Sequence, residues 1–314
     1  MSTIRTELSR IAAKVETTEG TAISLAASDG DILASNVTWT WGVPAYERNA
    51  RTATFSQFAS VSGSQMATLS FDVDMYANSS TAPGYDALFK ACSIVGSAVS
   101  TTYVYGLVSA AASIPSLTIS AYVDGRLRQM VGARGTVKMA ATTGNPWKLS
   151  FSFQGAAVAP TDTTLLADAT YTANSKVPPA LLGGSFSCGG LSTSEALLRS
   201  IEFDIGNGLT MRTDANASTG YRSCALTGRK VTGQFVIEMP TVTEHDLYST
   251  MTANTLAALA VSSGTSTGKI SFAAPKVQYT DVQESDDGEL LIATVKFACR
   301  INSGNDELAI TLGV

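Results

Sequence analysis

Charge is scarce in this sequence. Asp, Glu, Lys and Arg make up only 15% of its 314 residues, and the net charge is −5. No basic face large enough to grip a phosphate backbone is expected. Histidine occurs once, as His245, in the first turn of an expected helix. No H-E-x-x-H, G-x-S-x-G or Walker pattern occurs. "GARGT" at 132–136 reads as a turn between strands, without the helix and lysine of a phosphate loop. No nucleophile–base pair can be assembled, so an enzyme is not expected and no catalytic residue is assigned. The four cysteines, Cys92, Cys188, Cys224 and Cys299, lie far apart with no C-x-x-C pair. They read as free buried thiols, not as disulfides or a metal site, and no cofactor is expected. No run of about 18 apolar residues suggests a membrane span. The opening "MSTIRTELSR" lacks the apolar core of a signal peptide.

What is abundant is small and β-branched. Hydrophobic residues reach 45%, and Ala, Ser, Thr and Gly fill much of the remainder. That mixture favours sheets joined by many turns. "VTWTWG" (37–42) alternates strictly, with Val37, Trp39 and Trp41 on one side and Thr38 and Thr40 on the other. "IEFDIG" (201–206) does the same 164 residues later, with Glu202 and Asp204 on its polar side. Phe71, Val73 and Met75 match Phe235, Ile237 and Met239 at the same offset, and Asp74 matches Glu238. Gly63 matches Gly228 at 165, a slip that implies a bulge or a changed turn.

The order of elements then repeats. "GYDALFKACSIV" (84–95) and "TEHDLYSTMTANTLAAL" (243–259) carry apolar residues at helical spacing, the second with Thr243 as a candidate N-cap. Each is followed by a hairpin. One begins at Val137 and Met139 and returns through Phe151 and Phe153. The other begins at Val277 and Tyr279 and returns through Val295 and Phe297, at an offset reduced to 144. Gly144-Asn145 and Asp287-Gly288 mark the tips. The shrinking offset places deletions in the second copy, and the surplus of the first lies mainly around 100–116. These features predict a mainly β chain with short flanking helices, arranged as two tandem β-sandwich or barrel domains. The expected boundaries are an N-terminal arm at 1–36, a first domain at 37–155, a linker at 156–200 and a second domain at 201–314.

Three segments resemble a known family. "KVETTEGTA" (14–22), "LTISAYVDGRLRQMVGARGTVKM" with "PWKLSFSFQGA" (117–156), and "IEFDIGNGLTMRTDANASTGYRS" (201–223) are similar to tail tube (major tail) proteins of long-tailed bacteriophages. The resemblance implies a β-sandwich with a flanking helix. Six such domains form a ring, and stacked rings form a DNA-conducting tube. A tandem-duplicated member would close the ring with three chains. The resemblance also implies a virion tail assembled in the host cytoplasm. Its partners would be further copies of the chain, the tape measure protein and the tail terminator and tip proteins, with phage DNA passing through without specific binding.

A channel for DNA should repel phosphates. The carboxylates on the polar sides of the repeated strands, Asp72, Asp74, Glu202, Asp204 and Glu238, are therefore the candidate lumen groups, with Trp39 and Trp41 buried behind them. The long polar excursions at 45–63 and 210–228 occupy matched places. They are expected to be loops or hairpins that dock on the next ring through Arg48, Arg51, Arg212 and Arg222. The competing reading is a ligand- or carbohydrate-binding β-sandwich or adhesin, with Tyr103 and Tyr105 as a possible sugar platform.

Overall fold

A computed structural model describes residues 4–164, 166, 171–172, 175–191, 196–265 and 268–313. Its first half contains β1 (Ser9–Val15), β2 (Ala34–Gly42), the short pair β3 (Ala45–Tyr46) and β4 (Val61–Ser62), β5 (Met66–Asp74) and helix α1 (Asp86–Ala91). It continues with β6 (Ile94–Val99), β7 (Thr102–Leu107), β8 (Leu117–Val123), β9 (Arg126–Thr142) and β10 (Lys148–Asp162). The second half contains β11 (Ser185–Cys188), β12 (Leu198–Asp204), β13 (Asn207–Thr213), β14 (Tyr221–Arg229), β15 (Thr232–Glu238) and helix α2 (Leu247–Thr252). It ends with β16 (Leu256–Ser263), β17 (Ile270–Asp287), β18 (Leu290–Cys299) and β19 (Ala309–Leu312). The chain is mainly β, as its composition implies.

Eight strands run side by side in the order β2-β5-β10-β9-β12-β15-β18-β17. The first four come from one half and the last four, in matching order, from the other. The pairing registers carry the sequence offsets. Phe71 stands opposite Phe151, and Phe235 stands opposite Val295. Trp39 stands opposite Leu69, and Phe203 stands opposite Gly233. The halves meet at β9 and β12, where Phe203 faces Met139 and Asp204 faces Lys138.

Period-two alternation buries one face of this sheet. On β5, Ala67, Leu69, Phe71 and Val73 are buried, while Ser70 and Asp74 are exposed. One continuous core spans both halves. Trp147, just before β10, packs tilted against Phe272 of β17 with ring centroids 4.3 Å apart and donates Nε1–H to Ser263 Oγ at 2.8 Å. Gly233 lies between Phe203 and Phe297, and a Cβ there would come within 2.5 Å of the Phe297 ring. The missing side chain lets the two rings meet edge to face at 5.7 Å.

Several expectations change. Trp39 and Trp41 are only partly buried, because β2 is the outermost strand and no described strand pairs with its far edge. The second helix ends at Thr252, and Leu256–Leu259 belong to β16, where Ala257 and Leu259 are buried in alternation. Asp246, not Thr243, caps α2 by accepting from the Ser249 N–H. Val137 corresponds to Val282, not Val277. Val137 faces Phe151 and Val282 faces Val295, with a register shift between Tyr279 and Asp281. Residues 132–136 lie inside β9 and form no turn. Gly132 there adopts φ +61°, and a Cβ would sit 2.6 Å from Ser223 Cα.

The expected arm and linker are partly built into the sheets. β1 pairs with β8 and β11 pairs with β16. β10 runs on through Asp162. Linker residues 167–170 and 192–195 lie outside the described residues. The surplus of the first half includes β6 and β7, and β7 pairs with the C-terminal β19.

Candidate functional site

The polar face of the eight-strand sheet carries the five expected carboxylates. Asp74 is exposed and stands opposite Lys148. Asp72 is half-buried and accepts from Ser150 Oγ at 2.6 Å and Asn36 Nδ2 at 2.8 Å. Glu202 pairs with Lys138 Nζ at 2.7 Å across the seam between the halves. Asp204 accepts from the Gly206 N–H at 2.8 Å. Glu238 pairs with Arg199 at 3.1 Å. The three strands that bear these carboxylates, β5, β12 and β15, are not the whole face. Lys138, Lys148 and Lys296 come from the adjoining strands β9, β10 and β18, each beside a carboxylate. Lys296 reaches Asp281 at 3.0 Å. Ser70, Ser150, Ser152, Thr136, Gln234 and Thr294 fill much of the remainder. This surface is polar and charge-paired, not a bare acidic wall.

The two edges of the eight-strand series are open. Among the described residues β2 pairs with β5 on one side only, and β17 beyond Gln278 pairs only with β18. Unpaired edges of this length invite another chain.

The two excursions differ sharply. The second, β13–β14, lies on the first half of the chain. Gln65 N–H donates to Thr219 O at 2.8 Å, and Arg134 Nη1 donates to Cys224 O at 2.6 Å. Asn207 is buried and donates Nδ2–H to Cys92 O and Gly135 O. Arg212 and Arg222 are held within the chain, by Glu19 at 3.0 Å and Asp214 at 3.6 Å. The first excursion, with Arg48 and Arg51, is exposed at every residue from 43 to 62. There Arg48 lies over the Phe58 ring at 5.3 Å.

Glu19 was not singled out from sequence, although it lies in the "KVETTEGTA" segment. It accepts from Arg134 at 2.7 Å and from Ser223 Oγ at 2.8 Å, besides Arg212. Burial pushes its carboxyl up. The hydrogen bonds and charges outweigh that, bringing it from 4.5 down to about 2. Nearby, Glu16 is buried and accepts from Ser116, Thr118 and the Gly132 and Gly20 N–H groups. Only the spacing of the two acids in one segment could have pointed to them.

Tyr103 and Tyr105 are buried, and Tyr105 donates to Asp86, so they offer no sugar platform. Among the described residues no cluster of potential metal ligands occurs, and no helix is long and apolar enough to cross a membrane.

A broad sheet with one packed face, one polar face and two open edges defines a mainly β protein. The family model for phage tail tube proteins matches residues 6–299, nearly the whole chain. The chain belongs to that family, and its role is structural, in the tube of a phage tail. No curated protein matches it.

Proposed function

We propose that three copies of this chain close a ring of six quasi-equivalent β-units around a DNA channel, and that such rings stack into the tail tube. The observation that carries this reading is the seam. β9, the last strand of the first unit, pairs with β12, the first of the second. The chain thus contains one unit-to-unit junction and leaves the matching strand types, β17 and β2, open at its ends. Transposed by the repeat offsets, the seam pairs Glu202–Ala140, Phe203–Met139 and Asp204–Lys138 become Thr38–Ser285, Trp39–Glu284 and Thr40–Gln283 of neighbouring chains. Closure removes both open edges and covers the half-exposed tryptophans.

The polar face then lines the channel, with Asp72, Asp74, Glu202, Asp204 and Glu238 toward the DNA. Among the described residues each lysine on the face has a carboxylate beside it, which weakens any contact with phosphate. Stacking is supported by Leu182, Leu197, Leu290 and Leu291, all at least half exposed and gathered at one end of the strands. The tape measure, terminator and tip proteins are the remaining partners this reading implies, with assembly in the host cytoplasm.

Electron microscopy of purified protein tests the proposal. Hollow tubes or rings are expected, and stable monomers at high concentration would refute it.

A further inference from the structure

The exposed arm at residues 43–62 has a counterpart whose docking place is visible. The arm joins β2 to β5 as β13–β14 joins β12 to β15. β13–β14 reaches over the first half, and its last residue, Arg229, is tied to its own half through Glu307. Its tip, residues 214–222, lies against Gln65 and Ala157 of the preceding unit, and Gly220 approaches Ser64 so closely that a Cβ would sit 2.5 Å from Ser64 Oγ. The register gives the equivalent place in the second half. Ala67 pairs with Gly155, and Ala157 N–H donates to Gln65 O. Cys299 N–H donates to Val231 O, so Arg229 holds the place of Gln65 and Ile301 that of Ala157.

There the second half has a cavity of about 520 Å³ with Arg229, Val231, Cys299, Ile301 and Glu307 in its wall. Ile301 is 67% exposed. The arm meanwhile projects Phe55, Phe58, Tyr46 and Val61 into solvent, and Phe55 is fully exposed. Subtracting the repeat offset from the seated tip gives residues 50–58, which include both phenylalanines.

We propose that each arm docks on the second half of the neighbouring chain within its own ring, with Phe55 and Phe58 closing the cavity beside Arg229 and Ile301. The occupant is a second copy of this chain. The inference rests on the ring reading and refines it, because it assigns the arm to the same ring and not to the next one. The aromatic rings would lie over Val231 and Ile301, beside the Arg229–Glu307 ion pair, and large aromatic side chains are common interface anchors.

The test places a photo-reactive phenylalanine analogue at Phe55 of the full chain, irradiates assembled material and maps the joined peptides. Adducts to residues 229–231 or 298–301 of another chain are expected. Assemblies that form normally but join Phe55 to any other surface, or to none, would overturn the docking while leaving the ring intact. Failure of the unmodified protein to form rings would overturn both. F55A/F58A gives a second reading. Its thermal unfolding should match that of the parent, since both side chains are exposed. The concentration needed for assembly should rise at least about tenfold. Unchanged assembly would count against the proposal.

Discussion

Lys138 and Glu202 form an ion pair of 2.7 Å across the β9–β12 seam, the place where the two halves of the chain become one sheet. The lysine side chain is 46% exposed, so solvent screens the pair. Its contribution should be under about 1 kcal/mol. E202Q is expected to lower the urea midpoint slightly in low salt and not at all in high salt. At the proposed interchain seam the corresponding residues are Gln283 and Thr38, so the strand pairing there would form without this charge pair.

Glu19 gives the hairpin an acid sensitivity. Its folded-state carboxyl lies near 2 and its ordinary value is 4.5. The stabilisation is therefore complete above pH 4.5 and is lost as the pH falls toward 2. Hydrogen exchange of residues 207–229 should accelerate across that window. In E19Q exchange should already be faster at neutral pH, and the acid step should disappear.

Trp147 ties the halves together from within. It is fully buried between Phe203 and Phe272. W147A should cost about 3–5 kcal/mol. W147F leaves Ser263 Oγ without its donor and should cost about 1–3 kcal/mol. In both variants denaturation should remain a single transition reported alike by both halves, because the core is continuous.

Much of this was legible because alternation and spacing survive low identity. Phe71 matches Phe235 and Phe151 matches Val295 in the sequence alone, and the registers set Phe71 opposite Phe151 and Phe235 opposite Val295 in keeping with those two offsets. The match of Val137 to Val277 failed by five residues, because β17 runs on to Asp287 and the bulge between Tyr279 and Asp281 moves its buried positions from Val277 and Tyr279 to Val282. The β19–β7 contact was invisible, since neither strand signals a partner some 200 residues away. "LAAL" at 256–259 suits a helix by composition, and tertiary pairing with β17 made it strand. The lysines of the polar face were missed because each strand was read alone, whereas a sheet surface belongs to neighbouring strands.

Reversing the charge of the proposed channel wall should separate assembly from conduction. Asp72, Asp74 and Glu202 changed together to lysine should still give tubes, because none of the three is deeply buried. DNA passage should slow, most strongly at low salt, as new phosphate contacts form. Ejection rates from particles carrying the variant would report this. Unchanged ejection would place these side chains away from the DNA.

The central claim is that β2 of one chain pairs with β17 of the next. Thr38 and Ser285 should then stand directly opposite one another, close enough for a disulfide or a short thiol linker. The native thiols will stay silent. All four are buried, and burial pushes Cys188 and Cys224 up to about 11 and Cys299 to about 12. Assembled T38C/S285C protein, oxidised and run under denaturing conditions, should show linked chains in a ladder that stops at three. A ladder continuing to six, or no linked chains from well-formed rings, would contradict the account.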